Sequence, residues 1–123
     1  PKGDLQESEV RKYWREYERK IETYGGIDLQ ILGIGRTGHI GFNEPGSHVN
    51  SITRLVTLDQ VTREDAAGDF YGKENVPRKA ITMGIGTILK AKRILLMAWG
   101  ESKATVVGRM IEGDVSGGIP DND

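Results

Sequence analysis

The run Ile27-Asp28-Leu29-Gln30-Ile31-Leu32 breaks at Gly33 into the loop Ile34-Gly35-Arg36-Thr37-Gly38-His39-Ile40-Gly41-Phe42-Asn43-Glu44-Pro45, and this junction limits what the chain can become. An apolar run of that length reads as a buried strand over Ile27–Gly33. A glycine-rich loop leaving such a strand is where open α/β sheets place their chemistry. Glycine permits close backbone approach to a ligand, and a rigid strand end holds the loop's side chains in place. His39 and Glu44 are a neighbouring pair able to move protons near neutral pH. Gly33-X-Gly35-X-X-Gly38 also spells the dinucleotide fingerprint, which needs its third glycine to open a helix that holds a pyrophosphate. Gly41, Pro45 and Gly46 follow too closely, since a helical proline costs about 3 kcal/mol and each glycine about 1. A dinucleotide-binding domain is therefore the least favoured reading.

The flanking sequence supplies helices and strands in alternation. Leu5–Tyr24 predicts a helix whose stripe, Val10, Tyr13, Trp14, Tyr17 and Ile21, packs in the core, with Glu7/Arg11 paired on the other face and Gly25-Gly26 ending it. Gly33–Asn50 is a long loop, Ser51–Leu58 a strand, and Asp59–Tyr71 a surface helix capped by Asp59 or Thr62. A turn over Gly72–Arg78, a strand over Lys79–Met83, a glycine turn and a short helix over Thr87–Ala91 follow. Arg93–Trp99 is a second strand buried on both faces, Trp99 included. Ser102 caps a helix to Ile111 that faces inward through Ala104, Val107, Met110 and Ile111, and Gly113 stops it. The expected fold is α/β, an open, mostly parallel sheet with flanking helices, Rossmann-like in layout. Residues 1–123 form one partial α/β domain: an N-terminal helix within 1–26, a core over 27–115 and a loose tail over 116–123. The turns Gly33–Gly38 and Gly100–Lys103 should meet at one sheet edge. Free backbone N–H groups at Gly35 and Gly38, with Lys103 near a helix start, would suit a phosphate-bearing small molecule.

Composition removes other classes. The 123 residues carry a net charge of -1 with acids and bases interleaved, so no basic stripe argues for nucleic acid. There is no cysteine, which excludes disulfides and thiol chemistry and fits a reducing compartment. No apolar run approaches the roughly 18 residues of a membrane span. The chain begins at Pro1 and ends in Asp121-Asn122-Asp123, which reads as a piece of a longer protein.

Gly-His-Ile-x-Phe-Asn-Glu-Pro, spanning Gly38 to Pro45, resembles the glucosamine-6-phosphate deaminase (glucosamine/galactosamine-6-phosphate isomerase) family. Ser51–Leu58, Ala80–Thr87, Gly100–Ala104 and Glu112-Gly113 match in the same order, so the likeness covers roughly Ile27 to Val115. The sugar-phosphate lactonases share Gly-His but lack Phe-Asn-Glu-Pro and are less similar. The resemblance implies a fragment of a larger sugar-phosphate isomerase fold. It also implies conversion of glucosamine 6-phosphate to fructose 6-phosphate and ammonia, without metal or redox cofactor. It places the protein in cytoplasmic amino-sugar catabolism, classed as a hydrolase, with a sugar phosphate as partner and a homo-oligomer allowed. By the same resemblance His39 is the ring-opening acid/base, Glu44 its orienting carboxylate and Lys103 a phosphate ligand.

The sequence departs from that pattern in ways that matter. Arg36-Thr37 stands where the family commonly has Asn-Asp, so the histidine's second partner, Thr37, is neutral. Slower ring opening or a different substrate is the expectation. The family's phosphate-binding arginine falls at Gly68, and Arg36 is a candidate replacement. The enolising aspartate and the first phosphate loop have no counterpart before Ile27, so the isolated piece should be inactive. Ser47, Arg54 and Thr57 match effector-binding positions, but Val56 replaces a lysine, which argues against effector control. His48 reads as a surface histidine. The alternative is a non-catalytic sugar-phosphate-binding module.

Overall fold

The computed structural model describes residues 6–113. The expected loose tail lies outside the described residues. Helix α1 (Glu7–Thr23) buries Val10 and ends where Gly25 and Gly26 take positive φ, with the Gly26 N–H returning to Ile21 O at 2.8 Å. Its aromatic stripe is not the core helix face expected from the sequence. Tyr13 and Tyr17 are about half exposed and line an open groove with Trp14, Ile81 and Met83.

Strand β1 (Leu29–Gly33) pairs in parallel with β4 (Arg93–Met97), with Ile31 opposite Leu95 and Gly33 opposite Met97. Strand β2 (Arg54–Thr57) pairs with β3 (Lys79–Thr82), but antiparallel and in a separate two-stranded sheet. The α/β class holds with one parallel pair and flanking helices, while the second pair departs from the mostly parallel expectation. β1 and β4 were expected to be buried on both faces. Instead Leu29, Ile31, Leu95 and Met97 share one open face, and Trp99 is 76% exposed. Among the described residues each of these strands has a single hydrogen-bonded neighbour, so neither has the cover that an all-apolar parallel strand demands.

Helix α2 (Gln60–Ala66) is capped by Asp59, whose side chain accepts from Thr62 N–H at 2.7 Å, and short 3-10 turns follow at Ala67–Phe70 and Lys73–Asn75. Helix α3 (Ile85–Leu89) sits directly on the segment before β2. Ser51 accepts from Gly86 N–H through its carbonyl and from Ile85 N–H through its hydroxyl. Cβ atoms at Gly84 or Gly86 would run into the backbone of Asn50 to Ile52, so both positions require glycine. Helix α4 (Ala104–Glu112) turns Val106 inward and leaves Ile111 72% exposed, which moves the buried face away from the expected stripe. Ser102 does not cap it: residues Glu101–Lys103 form a 3-10 turn and Lys103 occupies the N-cap without a side-chain bond.

One carboxylate ties these layers together. Glu18 Oε2 on α1 accepts from Thr53 N–H (2.8 Å), Thr53 Oγ1 (2.6 Å) and Thr87 Oγ1 (2.6 Å). Thr53 and Thr87 are both buried. Burial pushes the Glu18 carboxyl up, yet the hydrogen bonds from Thr53 and Thr87 outweigh it and hold the group below its ordinary range.

No helix follows Gly38; the chain turns instead into an isolated bridge between Ile40 and Asn43, and the next helix is α2. That removes the pyrophosphate seat a dinucleotide-binding domain needs.

Candidate functional site

Because β1 and β4 run parallel, the loops that leave them emerge at one end. Lys103 Nζ donates to Ile34 O and so joins the two loops. Between them and α2 lies a cleft of about 340 Å³ lined by Gly35, Arg36, His39, Phe42, Thr62, Asp65, Ala66, Ser102 and Lys103. The sequence placed Arg36, His39 and Lys103 at one site, and the structure brings these three together.

The His39 loop is a closed turn. The Gly35 N–H donates to His39 O and the Gly38 N–H to Gly35 O, both at 2.9 Å, and Gly38 has φ +93°. This corrects the expectation that Gly35 and Gly38 offer free N–H groups to an anion, because the turn consumes both. Gly35 has a different use: a Cβ there would overlap the His39 ring. Gly35→Ala is expected to push the ring out of the cleft and lower any His39-dependent rate about tenfold. The His39 ring proton shifts report it.

Both partners of His39 address Nδ1. Thr37 Oγ1 lies 3.2 Å away and Glu44 Oε1 3.9 Å away. Thr37 holds the ring by a hydrogen bond, and Glu44 acts at the outer edge of ion-pair range. Nε2 makes no hydrogen bond among the described residues, which leaves it for a ligand. The His39 side chain is 16% exposed, so it is sheltered without being sealed.

Between His39 and Glu44, the Asn43 side chain is buried at 3% exposure. Its Nδ2 donates to Ile40 O and Met83 O, and Arg54 Nη1 donates to its Oδ1 at 2.9 Å. Burial lowers the Arg54 guanidinium from its usual value. Arg54 is thus a brace for the loop, and Ser47 likewise closes a turn onto Glu44 O. Thr57 sits at the end of β2 opposite Lys79. Of the three effector positions read from sequence, Arg54 and Ser47 are hydrogen-bonded within the loop's scaffold, and Thr57 is exposed. His48 is exposed, and its Nδ1 accepts from Asn50 N–H.

Helix α2 contributes residues that sequence reading missed. Arg36 is engaged by Asp65 through three hydrogen bonds of 3.0 to 3.2 Å. It neutralises a rim carboxylate and does not stand free for phosphate. Asp65 in turn is held below its ordinary range, chiefly by those hydrogen bonds. Gly68 offers no side chain, as expected, and lies in the 3-10 turn after α2. Thr62 Oγ1 donates to Glu44 Oε1 at 3.2 Å. Burial first, and then the Asp59 charge, push the Glu44 carboxyl above its ordinary range, against the pull of His39 and Thr62. No local signal announces these pairs, because their members lie 15 to 29 positions apart along the chain.

A raised carboxyl resists ionisation in the folded state. Ionised Glu44 therefore opposes folding above its folded pKa, and the penalty vanishes in acid, where the group is protonated folded and unfolded alike. Glu44→Gln is expected to raise Tm by about 1–3 °C at pH 7 and to leave it unchanged near about pH 3.5. Thermal melts at the two pH values check the sign.

Among the described residues no helix is long and apolar enough to cross a membrane. The family model for glucosamine-6-phosphate isomerases/6-phosphogluconolactonase matches residues 2–121. Glucosamine-6-phosphate deaminase 1 of Bacillus subtilis is 48% identical over 120 residues, 98% of this chain and 49% of that protein. A putative glucosamine-6-phosphate deaminase-like protein of Bacteroides thetaiotaomicron is 49% identical over 120 residues, 98% of this chain but 18% of that protein. The solved structure of a monomeric glucosamine-6-phosphate deaminase superposes with TM-score 0.88 at 47% identity, covering 99% of this chain and 50% of that one. A 6-phosphogluconolactonase from Trypanosoma cruzi shares the fold at TM-score 0.65 and 17% identity. The chain spans half or less of the length of these relatives. One expectation is overturned: the relatives matched are glucosamine-6-phosphate deaminases of a family whose model is named first for isomerases, so the hydrolase class is withdrawn. With the model matched along nearly its whole length, this chain belongs to the glucosamine-6-phosphate isomerases/6-phosphogluconolactonase family.

Proposed function

We propose that this chain supplies the histidine-bearing half of an amino-sugar-phosphate isomerase/deaminase, acting on glucosamine 6-phosphate and releasing ammonia. The observation that carries this reading is His39, held through Nδ1 by Thr37 beside Glu44, in the same cleft as Lys103. With Nδ1 engaged, Nε2 is the nitrogen that exchanges a proton with the sugar ring oxygen. Lys103 and Ser102, at the N-terminal end of α4, receive the phosphate, where the helix dipole and the ammonium both favour an anion. A cytoplasmic location accords with the lack of cysteine. The experiment is a chimera in which this chain replaces the matching half of the Bacillus subtilis deaminase. Ammonia release from glucosamine 6-phosphate is expected. A folded chimera that binds the sugar phosphate and releases no ammonia would remove the deaminase reading.

A second reading is a sugar-phosphate-binding module without turnover. The neutral Thr37 beside His39 and the commitment of Arg36 to Asp65 favour it. Binding that survives His39→Ala in an inactive chimera would select it.

A further inference from the structure

We propose that Asp59 is a positioning residue of the His39 site: its carboxylate, fixed by the start of α2 and bridged to Glu44 through Thr62, supplies the second negative charge that the neutral Thr37 does not. The inference rests on the reading of His39 as the proton-transfer group and deepens it. Three observations carry it. Thr62 is 6% exposed and bonds both acids, with its N–H on Asp59 Oδ1 at 2.7 Å and its Oγ1 on Glu44 Oε1 at 3.2 Å. The Asp59 and Glu44 carboxyl groups also lie within hydrogen-bonding reach of each other. Finally, His39 Nδ1 meets Glu44 on that same Oε1. The order is His39, Glu44, Asp59, with Thr62 as the clamp.

Two carboxyl groups in contact oppose each other's ionisation, so one gives up its proton less readily. The environment decides which. The Thr62 N–H, first among several influences, holds Asp59 below its ordinary range, so Asp59 carries the charge. Glu44, part-buried against the apolar groove of Ile88 and Leu89, is pushed above its ordinary range, by burial first and then by the Asp59 charge. The other charged groups at the His39 cleft are Arg36 and Asp65, which satisfy each other, and Lys103, which is drawn to Ile34 O. Thus Asp59 is the neighbour whose charge remains to bias Glu44.

Asp59 also caps α2, and a cap alone would explain its first bond. Asn caps a helix as well as Asp does but carries no charge, so Asp59→Asn separates the two roles. The side-chain carboxyl of Glu44 is followed by carbon-13 NMR across pH in the full chain, with Glu44→Gln used to assign it. Asp59→Asn is expected to lower the Glu44 midpoint by about half to one pH unit and to leave Tm within about a degree. Thr62→Val keeps the backbone cap and removes the bridging hydroxyl; it should raise the Glu44 midpoint. A Glu44 titration that neither substitution moves, in folded protein, overturns the proposal and leaves Asp59 a cap only. No substrate enters this test, so its failure is distinct from failure of the deaminase reading.

Discussion

His39→Ala in the chimera with the Bacillus subtilis deaminase is expected to lower kcat for ammonia release by about 10²–10⁴-fold, the usual contribution of a positioned general acid/base, while KM changes little. The reason is the division of labour at the site. On the proposed reading the phosphate is held by Lys103, Ser102 and the start of α4, which line the cleft apart from the imidazole. The closed turn Gly35–His39 is made by backbone bonds that alanine leaves in place. Truncation should therefore remove the proposed proton carrier without moving the proposed anion end. A large rise in KM at unchanged kcat would mean that His39 only binds. Steady-state kinetics of the two proteins, with melting curves to show an intact fold, decide it.

Glu18→Ala carries the largest expected cost in stability. It removes the acceptor of three hydrogen bonds and strands two buried threonine hydroxyls and a backbone N–H. Hydrogen bonds to a charged acceptor contribute about 1.5–3 kcal/mol each, but these share one oxygen and the acid is part-exposed. A loss of about 2–4 kcal/mol is expected, or a fall in Tm of roughly 10 °C or more. The damage should also reach the site. Thr53 precedes Arg54, which braces Asn43, which sits between His39 and Glu44. The dependence on pH has a definite sign. The Glu18 carboxyl is held below its ordinary range in the folded chain, so its contribution is complete above the unfolded pKa and lost as pH falls through the folded one. The gap in stability between the native chain and Glu18→Gln should be largest near neutrality and shrink below about pH 4. Urea unfolding at several pH values measures it.

Much of this was legible in the sequence, and the failures share a cause. The strand at Ile27–Gly33, the glycine loop, and the meeting of Lys103 with that loop follow from local pattern, because parallel strands put successive loops at the same end. Apolar runs, however, record the burial a segment requires and not the burial the described residues provide. Leu29, Ile31, Leu95 and Met97 therefore misled, and so did Tyr13 and Tyr17. Backbone donors at Gly35 and Gly38 looked free because spacing does not show that the turn closes on itself. Long-range polar pairs had no signal at all: Arg36 with Asp65, Glu18 with Thr87, Glu44 with Asp59. Position 59 was read correctly as a cap, yet a cap pattern says nothing about which acid from another loop will lie beside it.

The most direct measurement is the NMR signal of the His39 ring in the chimera as glucosamine 6-phosphate is added, beside unphosphorylated glucosamine at the same concentrations. The ring protons should shift saturably with the phosphorylated sugar, stay still with glucosamine, and lose their response in Lys103→Ala. A His39 ring that does not move while the sugar phosphate binds or turns over would contradict the account.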